Sequence, residues 1–213
     1  MDFGKHQNTD IISISKITDN IFISGIIPME MNPELIRKNN IKYILCCVKK
    51  NNVQKIHEKI MMENPNIIVL YLPYDDMLYQ NLWHTNNNII DILKYTGSIY
   101  DNSEINKIMN LYNNRPLIEI GYHFIDKALT SKQNILIHCM AGISRSVSLA
   151  TYYFMKKINV NFEQAYKFIR SKRKIADPNI SFQKQLETYE IYREKFTENC
   201  ANKIIKNARY FSK

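Results

Sequence analysis

The sequence predicts a single α/β domain with a mainly parallel central sheet flanked by helices. Three observations carry that expectation. First, the apolar runs Ile41–Cys47, Ile67–Leu72 and Asn134–Ile137 are short and almost uninterrupted, as strands buried on both faces should be. Second, segments of helical period lie between and after them, which implies crossover connections and a parallel sheet. Third, 213 residues with 45% hydrophobic and 23% charged content fit one domain better than two full ones. The same usage excludes wholesale disorder and a fibrous repeat.

In chain order, Ser15–Ile17 and Ile21–Ser24 alternate around Thr18-Asp19-Asn20 and read as a short hairpin. Asn32-Pro33-Glu34 reads as a helix start, with an Asn cap and Pro at the first helical position, and the helix should end near Asn39-Asn40. The strand Ile41–Cys47 follows. Val53, Ile56, Ile60 and Met61 then repeat at helical spacing, before the strand Ile67–Leu72 closed by Pro73. Leu117–Thr130 is amphipathic. Asn134–Ile137 is a buried strand that runs straight into His138-Cys139. Three helices should follow over Ser144–Lys157, Phe162–Arg173 and Ile180–Phe196, the second opened by a capping box of Asn161 and Gln164. No internal repeat is visible.

These elements place a domain at 15–198, an N-terminal extension at 1–14 and a basic tail at 199–213. Trp83–Pro116 is an Asn-rich insertion. Within it Ile89, Ile92 and Leu93, then Ile105, Ile108, Met109 and Tyr112, fall at helical spacings. It is read as a loop with two short helices packed on the body, the functional alternative being a lid or docking surface. Met1 to Asp10 is polar, so no secretory signal is expected, and no apolar run reaches the roughly 18–20 residues of a membrane span. Cys46 and Cys47 are adjacent and no C-x-x-C pair exists, so neither a disulfide staple nor a zinc site is expected among Cys46, Cys47, Cys139 and Cys200. A reducing cytoplasm or nucleus is the default compartment. The net charge of +9 suits an anionic partner without naming one. Part of it reflects a skew toward Ile, Asn, Lys and Tyr that AT-rich coding explains.

The chemistry concentrates in Ile137-His138-Cys139-Met140-Ala141-Gly142-Ile143-Ser144-Arg145-Ser146. A strand ends, delivers a cysteine, and a helix begins five residues later. Such a turn points several backbone N–H groups into one concavity backed by the positive end of the helix dipole. A tetrahedral phosphate fits there. Gly142 supplies backbone angles closed to other residues. Arg145 can grip two phosphate oxygens with its fork. The same field favours the thiolate of Cys139, a nucleophile aimed at phosphorus. A cysteine alone would more often be a small buried hydrophobe, but Cys, Gly and Arg in this register set that reading aside.

The segment matches His-Cys-x-x-Gly-x-x-Arg-Ser, and the chain resembles cysteine-dependent protein tyrosine phosphatases, in particular their dual-specificity branch, over roughly residues 15–196. Thr18–Gly25, Leu35–Leu45, Phe124–Leu129 and Pro178–Leu186 carry further likeness, and neither a phosphotyrosine-recognition loop nor a Trp-Pro-Asp loop is found. The resemblance implies a protein tyrosine phosphatase-like fold and a phosphatase with no metal or other cofactor. Cys139 would be nucleophile, Arg145 phosphate ligand, and the amides of Met140, Ala141, Gly142, Ile143, Ser144 and Arg145 the phosphate cradle. The general acid, third after Pro73, would be Asp76, with Asp75 the close alternative. His138 would order the loop, Ser146 would stabilise the thiolate as it leaves, and Asn179 would brace the active-site loops or merely cap a helix.

Loop positions Met140, Ala141, Ile143 and Ser144 include no Lys or Arg, which inositol-lipid relatives usually carry, nor the His and Asn of RNA 5′-phosphatase relatives. Phosphoprotein is therefore the expected substrate, with phosphotyrosine and phosphoserine or phosphothreonine both accepted. An RNA 5′-phosphatase, a phosphoinositide phosphatase and a non-catalytic phosphoprotein-binding module are the alternatives. Nucleic acid is not the expected partner. The run Arg170, Lys172, Arg173, Lys174 reads as a solvated helix end, the alternative being a patch that attracts acidic phosphopeptides or nucleic acid, and the tail Asn199–Lys213 reads equally as a frayed helix, a membrane-surface element or a homodimer contact. Brevity and AT-rich coding suit a large DNA virus, in which case a virion would join the candidate compartments.

Overall fold

The computed structural model describes residues 10–87, 89–94 and 110–191. Six strands, β1 (Ser15–Lys16), β2 (Ile21–Ser24), β3 (Ile41–Cys46), β4 (Ile68–Tyr71), β5 (Asp91–Lys94) and β6 (Asn134–His138), form one sheet in the order β1-β2-β6-β3-β4-β5. The four inner strands are parallel, and both edge strands pair antiparallel. Residues of β3 and β6 are nearly all buried, which accounts for their continuous apolar runs. The helices are α1 (Ile27–Met31), α2 (Glu34–Lys38), α3 (Gln54–Glu63), α4 (Leu117–Thr130), α5 (Arg145–Lys157), α6 (Phe162–Lys172) and α7, described over 180–191; Lys50–Asn52 forms a 3-10 turn. Among the described residues no helix is long and apolar enough to cross a membrane.

Helices cover both faces of the sheet. Tyr43 meets Phe124 of α4 edge-on, 5.4 Å between ring centres. Three residues along β3, and so on the opposite face, Cys46 stands in register with His138 and Tyr71, and there His57 of α3 packs against both rings. The helix α5 is buried over almost its whole first three turns, between the sheet, α4 and α6. At α6 the capping box is formed in full: Asn161 Oδ1 accepts from Gln164 N, and Gln164 Oε1 accepts from Asn161 N.

The structure departs from the sequence expectation in two places. The helix α1 precedes Asn32, which ends it, and α2 starts from Pro33 with no side-chain cap. Ile92 and Leu93 lie in strand β5, not in a helix. A four-residue apolar run satisfies either period, and here β4 offers an open edge whose backbone groups need partners. β5 supplies them from Tyr71↔Asp91 to Ile68↔Lys94. The second expected helix lies outside the described residues except for its end at 110–112, as does the tail at 199–213. Trp83, at the start of the insertion, stacks on Tyr189 of α7 and meets Tyr152 of α5 edge-on.

Gly121 of α4 packs directly against Leu149 of α5. A Cβ there would lie 2.6 Å from Leu149 Cδ1 and 3.2 Å from Leu72 Cδ1. Gly121→Val should therefore destabilise the fold by about 1–3 kcal/mol, read from urea unfolding, as overpacking of a filled core does. Parent-like stability would mean that Leu149 yields without penalty.

Candidate active site

Ser24, His138, Cys46 and Tyr71 form a row across the carboxyl ends of β2, β6, β3 and β4. Ligands of open α/β sheets bind just beyond such ends. Here β6 delivers Cys139, only 1% exposed, and the chain then loops through 139–144 into α5.

The loop is shaped by where its carbonyls go. Cys139 O accepts from His138 Nδ1 (3.2 Å), and Met140 O accepts from Ile26 N (2.9 Å). Ala141 O accepts from Arg173 Nη2 (3.1 Å), and Gly142 O from Arg173 Nε (2.6 Å). Ile143 O accepts from Asp177 N (2.8 Å), and Ser144 O from Ser148 N and Oγ. All six carbonyls are thus held by donors behind the loop. In a trans peptide the C=O and the following N–H point in opposite directions. The amides of residues 140–145 are therefore turned toward the concavity above Cys139. Gly142 N already donates to Cys139 Sγ at 3.2 Å, and Ser146 Oγ lies 3.4 Å from the same sulfur. Gly142 has φ +70, and a Cβ there would lie 2.4 Å from the backbone of Ser24, so the position requires glycine on both counts.

Arg145 leans over this cradle. Its Nη1 donates to Tyr74 O at 3.2 Å, and its Nε is buried with no hydrogen-bond partner, a donor waiting for an acceptor. Asp76 hangs opposite, its Oδ2 3.5 Å from that Nε. Asp76 Oδ1 accepts from Ser144 Oγ (2.6 Å) and Asn179 Nδ2 (2.8 Å). Asn179 also caps α7, its Oδ1 accepting from Phe182 N, so one side chain does both jobs open to it from the sequence. Asp75 faces away and pairs with Lys49 at 3.0 Å. Ser144 occupies the N-cap position of α5, yet its hydroxyl makes no cap bond and donates to Asp76 instead.

The segment that carries Asp76 is tied down at several points. Tyr74 OH donates to Leu82 O, and Gln80 Oε1 accepts from Asp75 N. Gln185 of α7 accepts from Leu82 N and donates to Gln80 O. Two grooves flank this segment. One, of about 790 Å³, has Leu78, Tyr79, Trp83, Ile180 and Tyr189 in its lining beside polar side chains that include Lys184 and Gln185, and neither groove is lined by Cys139.

Two residues that matter to the loop escaped the sequence reading. Arg173 is not part of a solvated helix end: it is fully buried, and besides two loop carbonyls it reaches Ser15 Oγ. Nothing in a basic run marks which member turns inward. His57 is fully buried against His138, their Nε2 atoms 3.0 Å apart, with Tyr71 OH 2.8 Å from His57 Nδ1. A signal for His57 existed, since it lies four residues after Val53 and four before Met61 on the apolar face of α3. Burial holds both imidazoles neutral, His57 well below its usual pKa and His138 at about 4. Burial likewise pushes the Cys46 and Cys47 thiols up, which keeps them protonated and inert. Cys46 Sγ and one nitrogen from each of His57 and His138 lie within 4.8 Å of one another, the one trio among the described residues able to approach a metal ion.

Comparison with known proteins gives a consistent picture. The family model "Dual specificity phosphatase, catalytic domain" matches residues 27–192. A putative tyrosine-protein phosphatase of Acanthamoeba polyphaga mimivirus is 47% identical over 201 residues, 94% of this chain and 95% of that protein. Human dual specificity protein phosphatase 16 is 41% identical over 75 residues, 35% of this chain and 11% of that protein. Among solved structures, the human tyrosine phosphatase-like serine/threonine/tyrosine-interacting protein superposes with a TM-score of 0.60 at 20% identity, covering 84% of this chain and 97% of that one. A mouse putative dual specificity phosphatase, solved with zinc tungstate, gives 0.60 at 16% identity, over 92% and 97% of the two chains.

Two measurements follow from the geometry. Arg173→Lys keeps the charge but loses the fork, leaving a loop carbonyl without its donor. It should lower stability by about 1–3 kcal/mol and weaken inhibition by inorganic vanadate roughly tenfold or more. Unchanged vanadate inhibition would mean that charge alone holds the loop. The buried histidines set the pH dependence. Their folded pKa values lie below the unfolded value of about 6.5, so their contribution is full above that pH and is lost as pH falls toward 4. His138 alone should remove about 1.4 kcal/mol per pH unit across that window, measurable as falling urea midpoints between pH 7 and 5.

Proposed function

The chain belongs to the dual specificity phosphatase family, and on that premise we propose that it hydrolyses phosphotyrosine and phosphoserine or phosphothreonine on proteins through a phosphocysteine intermediate. One observation carries the proposal: every carbonyl of residues 139–144 is held behind the loop, which turns the six following amides toward the Cys139 sulfur, where Gly142 N already donates, with Arg145 Nε close by, 3.5 Å from Asp76 Oδ2. Fixed donors of this kind stabilise charge that develops in the transition state without having to reorganise.

The Cys139 thiolate attacks phosphorus in line, opposite the leaving oxygen. The S–P bond forms as the P–O bond to the substrate breaks. Asp76 delivers a proton to the departing oxygen. Its Oδ1 already receives two hydrogen bonds, which leaves Oδ2, the oxygen on the Arg145 side, as the one free to deliver it. Water then attacks the phosphocysteine, Asp76 takes its proton back, and inorganic phosphate leaves. Ser146 Oγ donates to the sulfur as it regains its charge. His138, bonded to Cys139 O, and Asn179, bonded to Asp76, hold the loop and the acid in place.

A protein substrate is favoured over a lipid or an RNA end by the surroundings of the cleft. Residues 140–144 add no cation to Arg145. The exposed side chains of Met77, Leu78, Tyr79 and Ile180, with an apolar groove behind them, suit a peptide flanking the phosphoresidue.

With p-nitrophenyl phosphate, Cys139→Ser should abolish turnover, and Asp76→Asn should lower kcat by about 10²–10⁴. Asp75→Asn should stay within roughly twofold, since Asp75 holds only an exposed ion pair. A phosphopeptide, an inositol phosphate and a 5′-triphosphate RNA compared at one salt concentration should rank the phosphopeptide first. Preference for either other substrate would overturn the protein assignment.

A further inference from the structure

Five of the six loop carbonyls are held by backbone groups, Arg173 or Ser148, and the sixth, on Cys139 itself, is held by an imidazole. An imidazole serves in that position only in one tautomer. A carbonyl oxygen can only accept, so His138 Nδ1 must carry the hydrogen. His138 is neutral, so its Nε2 is a bare acceptor. The group facing that nitrogen, at 3.0 Å, is His57 Nε2, which must therefore be the donor. His57 is neutral too, which leaves its Nδ1 bare and ready to accept from Tyr71 OH at 2.8 Å. Each step leaves one arrangement: Tyr71 O–H to His57, His57 N–H to His138, His138 N–H to the Cys139 carbonyl. All three side chains are buried, so bulk solvent does not compete for these bonds.

We infer that His57, set by Tyr71, is a positioning residue that locks His138 in its Nδ1–H tautomer and so keeps the Cys139 carbonyl turned away from the phosphate cradle. In the opposite tautomer a nitrogen lone pair would face the carbonyl lone pairs. The Cys139–Met140 peptide would lose its anchor, and the Met140 amide would no longer be held toward the ligand. His57 reaches the reaction only through His138. The inference rests on the reading of this loop as the phosphate site. It competes directly with metal binding by Cys46, His57 and His138, because a metal would occupy the nitrogen lone pair that the shared hydrogen needs.

The test is made on the full chain. Long-range ¹H–¹⁵N spectra at pH 7 should show His138 as the Nδ1–H tautomer and His57 as the Nε2–H tautomer. The reverse pair, or rapid averaging of both, would overturn the inference. So would one equivalent of zinc that the parent binds and His57→Phe does not, read by native mass spectrometry. In His57→Phe the His138 signals should average between tautomers, and iodoacetamide should inactivate at Cys139 about tenfold more slowly, the scale of one lost hydrogen bond. His57→Gln, whose amide can still donate to His138, should restore the rate to within about threefold. A phenylalanine variant that keeps both the tautomer and the alkylation rate would sink the idea even if it were less stable. The tautomer is read without turnover. A locked His138 in a chain that cleaves no phosphate monoester would thus count against the proposed reaction and leave the lock intact.

Discussion

The orientation of six peptide planes, residues 139–144, is the constraint on which the rest of the molecule depends. An anion site made of amides exists only while every intervening carbonyl has a donor elsewhere, because a free carbonyl would turn inward and repel the ligand. The donors come from four parts of the chain. Ile26 follows the end of β2, Arg173 and Asp177 follow α6, Ser148 lies in the first turn of α5, and His138 ends β6. The sheet brings those parts together. Parallel register across β2, β6, β3 and β4 puts four strand ends in one line, and the loop lies on that line.

This arrangement has local costs that the fold absorbs. Ser144 gives up capping α5 in order to hold Asp76. Arg173 is buried whole, which is tolerable because its donors meet oxygens of Ala141, Gly142 and Ser15. Gly25 and Gly142 let β2 and the loop touch backbone to backbone, and a Cβ at either would lie within 3 Å of main-chain atoms. Two imidazoles stand side by side in the interior, neutral and mutually bonded. Departures from good helix and core practice cluster within a few residues of Cys139, as expected of a place shaped by chemistry.

How much of this was legible in the sequence depends on how local each feature is. The α/β class, the strands β3, β4 and β6, and the helices α4 to α6 were readable because hydrophobic period is a property of adjacent residues. The strand-loop-helix around Cys139 was readable for the same reason: Cys139, Gly142 and Arg145 are neighbours in sequence as in space. Strand β5 was misread because its apolar run is too short for either period to dominate, and the open edge of β4 that captures it is invisible locally. Arg173 could not be singled out from Arg170, Lys172 and Lys174, since only the tertiary fold decides which of them turns inward. The choice of Asp76 over Asp75 came from the family pattern. In space the two diverge completely, one toward Arg145 and one toward Lys49.

The bonds that hold the acid-bearing segment carry a consequence for discrimination. Tyr74, Gln185 and Asn179 hold residues 74–82 over the cradle through bonds made entirely within the chain. The ordering of that segment is thus achieved once, when the chain folds, and not again in each turnover. An enzyme whose lid closes can make the right substrate drive the closing and let a wrong one fail at that step. A segment already closed gives up that checkpoint. Selectivity then has to reside in static shape and charge around the rim, where Met77, Leu78 and Tyr79 stand exposed. Fidelity is set by what docks, with no second chance once a phosphate has entered.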